Sequence, residues 1–180
     1  MKYFLILLLT FFSFPLVSFS YNETHVKKLK SLNQCNDCNL SSVDLRNASL
    51  KRAWMTNSNL SDGNFSGADL TKVNLSDSNL QNANFQGAIL AGSLMSYVNL
   101  KEANLVNADL RWVLFTKSNL TKANLENADL WKASLDQAIL IGGNLENANL
   151  IKADFKGANL TGANLKNTNL EDAELNNANL

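Results

Sequence analysis

The pair of residues best suited to chemistry is Cys35 and Cys38, in the stretch NQCNDCNL. Two thiols at this spacing can close a disulfide, exchange one with a substrate, or ligate a metal. They are the only cysteines in the chain, and His25 is the only histidine. Zinc prefers four such ligands, so a metal is poorly served. Thioredoxin-like exchange needs the motif at a strand–helix junction, and the surrounding residues do not spell one. A structural disulfide is the leading reading, as befits a chain made for an oxidising compartment. A thiol redox role is the alternative. Acid–base catalysis finds little support: 16 Asp and Glu balance 16 Lys and Arg, scattered without a cluster. We therefore expect no enzyme, no cofactor and no metal.

A second group of residues is suited to binding. Trp54, Ile89, Leu94, Tyr97, Trp112, Leu114 and Trp131 stand where comparable positions carry polar residues. Exposed apolar surface rich in Trp and Tyr marks protein interfaces. The plainer reading is that these residues pack on one another or cover a loop. Arg52, Lys72, Arg111, Lys132 and Lys152 lie among them, a mixture that suggests nucleic acid. Asp69, Asp109 and Asp129 nearly neutralise that edge, so no nucleic-acid partner is expected. Whether these side chains meet depends on the elements that carry them.

Those elements follow one rule. Every fifth residue from Leu40 to Leu180 is Leu, Met or Phe. Two residues earlier the side chain is small or β-branched, most often Ala, and one residue earlier it is usually Asn or Asp. A helix turns about 100° per residue, so a period of five spirals around it and makes no stripe. A strand alternates faces, so five is an odd step and successive leucines part company. The pattern is buried only if the chain turns a corner once per repeat and aims each fifth residue at a common axis. Asn and Asp suit such corners by bonding nearby backbone, and stacked Asn can form ladders. Gly67, Gly87, Gly92, Gly142, Gly157 and Gly162 fall at the corner position that wants permissive dihedrals. Proline is absent from the repeats, as expected where backbone amides must pair between coils.

The exceptions to the rule show how many repeats close a coil. Trp54, Leu94, Leu114, Ser134 and Glu174 interrupt the Asn/Asp position at multiples of twenty. Met55, Met95, Phe115 and Phe155 replace the central Leu in the same phase, and Ser58, Ser78 and Ser118 recur at the small position. Four repeats per coil, a square cross-section, fit these intervals. A little over seven coils then make a rod roughly 35 Å long at the usual strand spacing.

The phrases ANLENADL, ADLTKVNL and GANLTGANL resemble the A(D/N)LXX motif of the pentapeptide-repeat family over residues 36–180. The resemblance implies an all-β fold, a right-handed quadrilateral β-helix. It also implies two things about partners. Some members are anionic, DNA-shaped rods that bind DNA gyrase, which makes a gyrase-binding DNA mimic one alternative function. Others dimerise through the C-terminal end, and the unbroken register up to Leu180 makes a homodimer through that end an expectation here.

Before the repeats, residues 1–20 (MKYFLILLLTFFSFPLVSFS) read as a signal peptide. Lys2 provides the basic start, Phe4 to Val17 the apolar stretch, and Ser18-Phe19-Ser20 the cleavage site. The apolar stretch is short for a membrane span, so no stable span is expected after cleavage. The expected location is periplasm, a thylakoid-type lumen or the cell exterior. Residues 21–35 read as a cap segment, with Val26, Leu29 and Leu32 on one face of a short helix and Asn22 or Thr24 as N-cap candidates. A solenoid needs such a lid.

The function expected is a non-catalytic exported module that binds a protein or acts structurally. The near-zero net charge and the export signal weigh against the gyrase alternative. Because the central leucines fill the axis, a polar group there has no partner. Leu105→Asp is expected to abolish cooperative folding, and an unchanged melting temperature would contradict the solid axis.

Overall fold

Helix α1 (Glu23–Leu32) begins where Asn22 accepts a hydrogen bond from the Thr24 amide at 2.9 Å. Glu23 lies in its first turn and Lys30 in its last, both favourable to the helix dipole. Asn33 ends it in the left-handed conformation, its amide bonded to the Leu29 carbonyl. Leu29 is buried and Val26 half-buried. Leu32, grouped with them by spacing, is instead 62% exposed, because it is the last helical residue before the chain turns at Asn33. This computed structural model describes residues 21–180, so the segment read as a signal peptide lies outside the described residues.

From Gln34 onward the chain makes single-residue parallel β-bridges, each to the residue twenty further on. Four bridging residues per twenty-residue coil give four faces. The repeat Leu120–Asn124 shows why the coil holds. The Leu120 amide bonds Ile139 O (2.7 Å), and the Lys122 amide bonds Ile141 O (2.9 Å), both on the next coil. The Asn124 amide bonds Ala103 O on the coil before (2.9 Å), and the Ala123 amide closes the turn onto Leu120 O (3.0 Å). The Thr121 amide bonds the Asn119 side chain at 3.0 Å. All five amides thus have acceptors, as buried or half-buried backbone requires. The Asn or Asp of most repeats supplies the acceptor that no neighbouring carbonyl reaches.

The second residue of every corner has a left-handed backbone, φ between 53° and 68°. The sequence singled out six glycines for this, yet Arg52, Tyr97, Trp112 and the corner lysines adopt it too. The strain is about 1–2 kcal/mol for a residue with a Cβ. The amide bond to the next coil and the stacked corners offset it. Glycine is demanded by packing at Gly63, where a Cβ would come within 2.7 Å of the Phe65 ring. Phe65 itself stacks on Phe85 with centroids 4.9 Å apart.

The central residues from Leu40 to Leu160 are buried, as are the small residues beside them on most coils. Three buried serines belong to a local variant. Ser58, Ser78 and Ser118 donate to Cys35 O, Met55 O and Met95 O, at 2.8, 2.8 and 2.6 Å. Each hydroxyl also accepts the amide three residues beyond that carbonyl, from Cys38, Ser58 and Val98. The serine therefore replaces the turn's own closing bond with a bridge to the coil above.

Among the described residues no coil precedes Asn39. Its amide bonds His25 Nδ1 (2.9 Å), and its carbonyl accepts from the Asn22 amide (3.1 Å). The cap thereby stands in for the missing coil. In the last coil Leu165, Leu170 and Leu175 are only partly buried.

The shared left-handed corner makes a specific prediction at Lys122. Lys122→Val should lower stability by about 1–2 kcal/mol, since β-branching opposes that conformation. Lys122→Gly should leave it unchanged or raise it. Urea denaturation of the two variants checks this, and equal losses would refute it.

Candidate functional site

Cys35 and Cys38 form a disulfide, with S–S 2.02 Å and Cα–Cα 5.5 Å. It spans the turn that the Ser58 hydroxyl bridges, directly beneath α1. Cys35 is fully buried and Cys38 4% exposed. Exchange requires a thiolate to reach a sulfur in line, and this burial denies it a path. His25 is engaged with Asn39. Among the described residues no group of His, Cys, Asp or Glu is placed to hold a metal.

The apolar exceptions do come together. Leu94 bridges Leu114 on the next coil of the same face. Trp112 stands on the corner just before Leu114, and Tyr97 on the corner just after Leu94, so the four span one face. Ile89 lies on the adjoining face, before that same corner column. Trp131 opens the corner one coil on, and its ring meets Trp112 edge-on, centroids 4.8 Å apart at 78°. Tyr97 is 56% exposed and Trp112 46%, with Leu94, Leu114 and Ile89 close to 40%. Trp54 is exposed on the same face but stands apart, separated from Leu94 by Asn74.

The three apolar exceptions at the Asn/Asp position of the patch also forgo a hydrogen bond. Where Asn or Asp would accept, the amides of Ala91, Ser96 and Thr116 follow Ile89, Leu94 and Leu114 and lose that side-chain acceptor. A bond of this kind contributes about 0.5–1.5 kcal/mol. Exposed Ile139 and Ile141 lie away from this patch, on a different face and corner, and the sequence reading had passed over them.

Charge around the patch is already sorted. Arg111 grips Asp109 with two bonds, Nε to Oδ1 at 2.8 Å and the second nitrogen to Oδ2 at 2.7 Å, and reaches Asp129 at 3.7 Å. Lys51 pairs with Asp69 at 3.0 Å. The hydrogen bonds from Arg111 hold the Asp109 carboxyl below its ordinary range, and burial only partly opposes them. Asp69 is lowered as well, chiefly by the Thr71 hydroxyl and then by Lys51. Lys132 lies over the Trp131 ring at 4.5 Å and Lys117 near Tyr97 at 5.7 Å. Arg52, Lys72, Lys117 and Lys132 enter no ion pair among the described residues.

One feature of the site was missed in the sequence. Between Lys72 and Trp112 the corner is made by Ala91 and Gly92, and their small size leaves an apolar hollow of about 370 Å³. Thr71, Lys72, Ala91, Gly92 and Trp112 line it. The available signal was Gly92, which stands in a corner column between the long side chains of Lys72 and Trp112.

Comparison with known families agrees with the coil. Pentapeptide repeats, in eight copies, match residues 93–131, 118–157, 132–167 and 153–180, and the pentapeptide repeat region matches residues 30–105. The chain belongs to the pentapeptide-repeat family. No curated protein gives a significant match. Among solved structures, full-length QnrB1, a plasmid-mediated fluoroquinolone resistance protein, is 18% identical with a TM-score of 0.51, covering 81% of this chain and 83% of that one. A pentapeptide-repeat protein from the Arabidopsis thaliana thylakoid lumen is 37% identical with a TM-score of 0.38, covering 61% and 66%. One from Nostoc PCC 7120 is 27% identical with a TM-score of 0.46, covering 58% and 80%. The likeness to QnrB1 concerns the fold. Among the described residues of this pentapeptide-repeat chain, no helix is long and apolar enough to cross a membrane.

The Arg111–Asp109 pair gives a pH signature. Asp109→Asn keeps an oxygen for the Arg111 amide but loses the charge. Because the folded carboxyl titrates below its ordinary value, the pair stabilises above about pH 4 and fades as pH falls through the lowered value. Both partners are partly exposed, so the variant should lose less than about 1 kcal/mol at neutral pH. Urea midpoints across pH should show that gap closing below about pH 4, and a gap independent of pH would refute the assignment.

Proposed function

We propose that this pentapeptide-repeat protein is a non-catalytic binding module that docks a protein partner on the Leu94, Tyr97, Trp112, Leu114 and Trp131 patch, with Ile89 at its margin. Its carrying observation is the packing of Trp112 against Trp131 beside exposed Leu94 and Leu114. Trp and Tyr on a rigid scaffold supply large contact area at small entropic cost. The solid interior restricts any partner to the surface or the ends.

In this reading the column is right-handed, as in its family, and works outside the cytoplasm. The basic and apolar start of the sequence and the Cys35–Cys38 disulfide support export. Trp54 belongs to the same face as an outlying contact. Pairing of two copies through the last coil, whose Leu170 and Leu175 are half-buried, is part of the same proposal. A gyrase-binding DNA mimic fits less well, since Lys and Arg equal Asp and Glu in number.

The test is proximity labelling or pull-down of the exported protein beside a Trp112→Asp/Trp131→Asp variant of unchanged melting temperature. The variant should lose at least nine-tenths of the partner. Equal recovery would discard the patch.

A further inference from the structure

The corner column through Trp112 runs Arg52, Lys72, Gly92, Trp112, Lys132, Lys152 and Asp172, one residue per coil, with Lys152 paired to Asp172 at 3.8 Å. Successive members are about 4.8 Å apart, the spacing of paired strands. All seven share the same left-handed backbone, so their side chains leave the corner in register. Cations stand below and above, and between them are a residue without a side chain and an indole.

Nothing in the rod requires glycine at this place. A Cβ on Gly92 would meet only the flexible stem of Lys72, at 3.4 Å from Cγ. The same backbone angle holds Lys, Arg and Trp elsewhere in the column. What Gly92 does is open the hollow beneath Trp112. Trp131 meets the indole edge-on and the Arg111 guanidinium lies 5.6 Å from its ring. The hollow is therefore largely pre-formed, and binding need not first order it.

Charge sets the occupant. The carboxylates nearby are taken: Asp109 and Asp129 by Arg111, and Asp69 by Lys51. Arg52, Lys72 and Lys132 form no ion pair among the described residues. The chain as a whole is neutral, yet this edge presents unpaired cations on both sides of an apolar seat.

We infer that this column binds an extended acidic segment of a partner protein, with one Phe, Trp or Leu seated in the hollow against Trp112 and carboxylates on either side meeting Lys72 and Lys132. This deepens the patch reading above and rests on it. The anchor supplies most of the affinity because it is desolvated against an aromatic wall. The carboxylates set orientation and speed encounter. Lys72 and Lys132 are three coils apart, about 14 Å, which an extended chain covers in roughly four residues. The preferred pattern is therefore acid, any residue, bulky apolar, any residue, acid, with the lysine stems taking up small offsets.

The test is a heteronuclear NMR titration of the full protein with the peptide acetyl-Gly-Glu-Gly-Phe-Gly-Glu-Gly-amide. Saturable shifts are expected at the Gly92 amide and the Trp112 indole N–H. Binding should weaken at least tenfold when either both Glu are replaced by Lys or Phe by Ala, and should weaken as salt rises. Gly92→Gln fills the hollow with a residue that the same left-handed backbone accepts at Gln137, on the neighbouring corner column. It should weaken binding at least tenfold while distant amides keep their shifts, as should Lys72→Glu/Lys132→Glu. No saturable shift, indifference to the Lys peptide, or stronger binding of single-stranded oligothymidylate at the same residues would overturn the inference. The partner capture above separates the two levels. Loss with the Trp variant but not with Gly92→Gln or Lys72→Glu/Lys132→Glu leaves the patch standing and sinks the acidic segment. Retention by the Trp variant sinks both.

Discussion

Five backbone amides per repeat must each find an acceptor, and the whole architecture follows from that requirement. Three amides are met by carbonyls on adjacent coils, which fixes the twenty-residue register. A fourth closes the turn, which brings inward a residue that is small or β-branched, most often Ala. The fifth needs a side-chain oxygen from Asn or Asp two residues before it. Individually these bonds are modest, about 1 kcal/mol each. Repeated on every face, they leave the chain no alternative pairing that satisfies all of them at once.

A column built this way is stabilised by nearest neighbours only, so its ends differ from its middle. The first coil is closed by α1, by His25 and Asn22 bonding Asn39, and by the disulfide. The last coil leaves its leucines half-buried. In the middle the interior is packed with side chains, so function is confined to the outside. There, deviations from the repeat carry the information. Ile89, Leu94 and Leu114 give up a local hydrogen bond and expose apolar surface, two costs that the fold itself does not demand. The serine at position 58, 78 or 118 is a different kind of deviation, because its hydroxyl restores the bonding it displaces.

Electrostatics follow the same division between average and arrangement. Equal numbers of acids and bases suggest a bland surface. The corners instead sort them, with Arg111 and Lys51 satisfied by the acids of one face and Arg52, Lys72 and Lys132 left without ion pairs. A neutral total thus contains a basic edge beside the tryptophans, and only the stacking at intervals of twenty makes it an edge.

The sequence alone determined the period, the inward leucines, the square coil and the short helix, because one rule repeated on every turn cannot be satisfied by another fold. It also marked Leu94, Trp112, Leu114 and Trp131 as residues out of place. The left-handed backbone of lysines and tryptophans at the corners was not legible, since those residues carry no local preference for it and only the pairing of coils imposes it. The exposure of Leu32 was not legible either, because it depends on where α1 ends and the chain turns at Asn33. Nor was the hollow at Gly92, which depends on the side chains one coil above and below, a distance of twenty residues in sequence and about 4.8 Å in space.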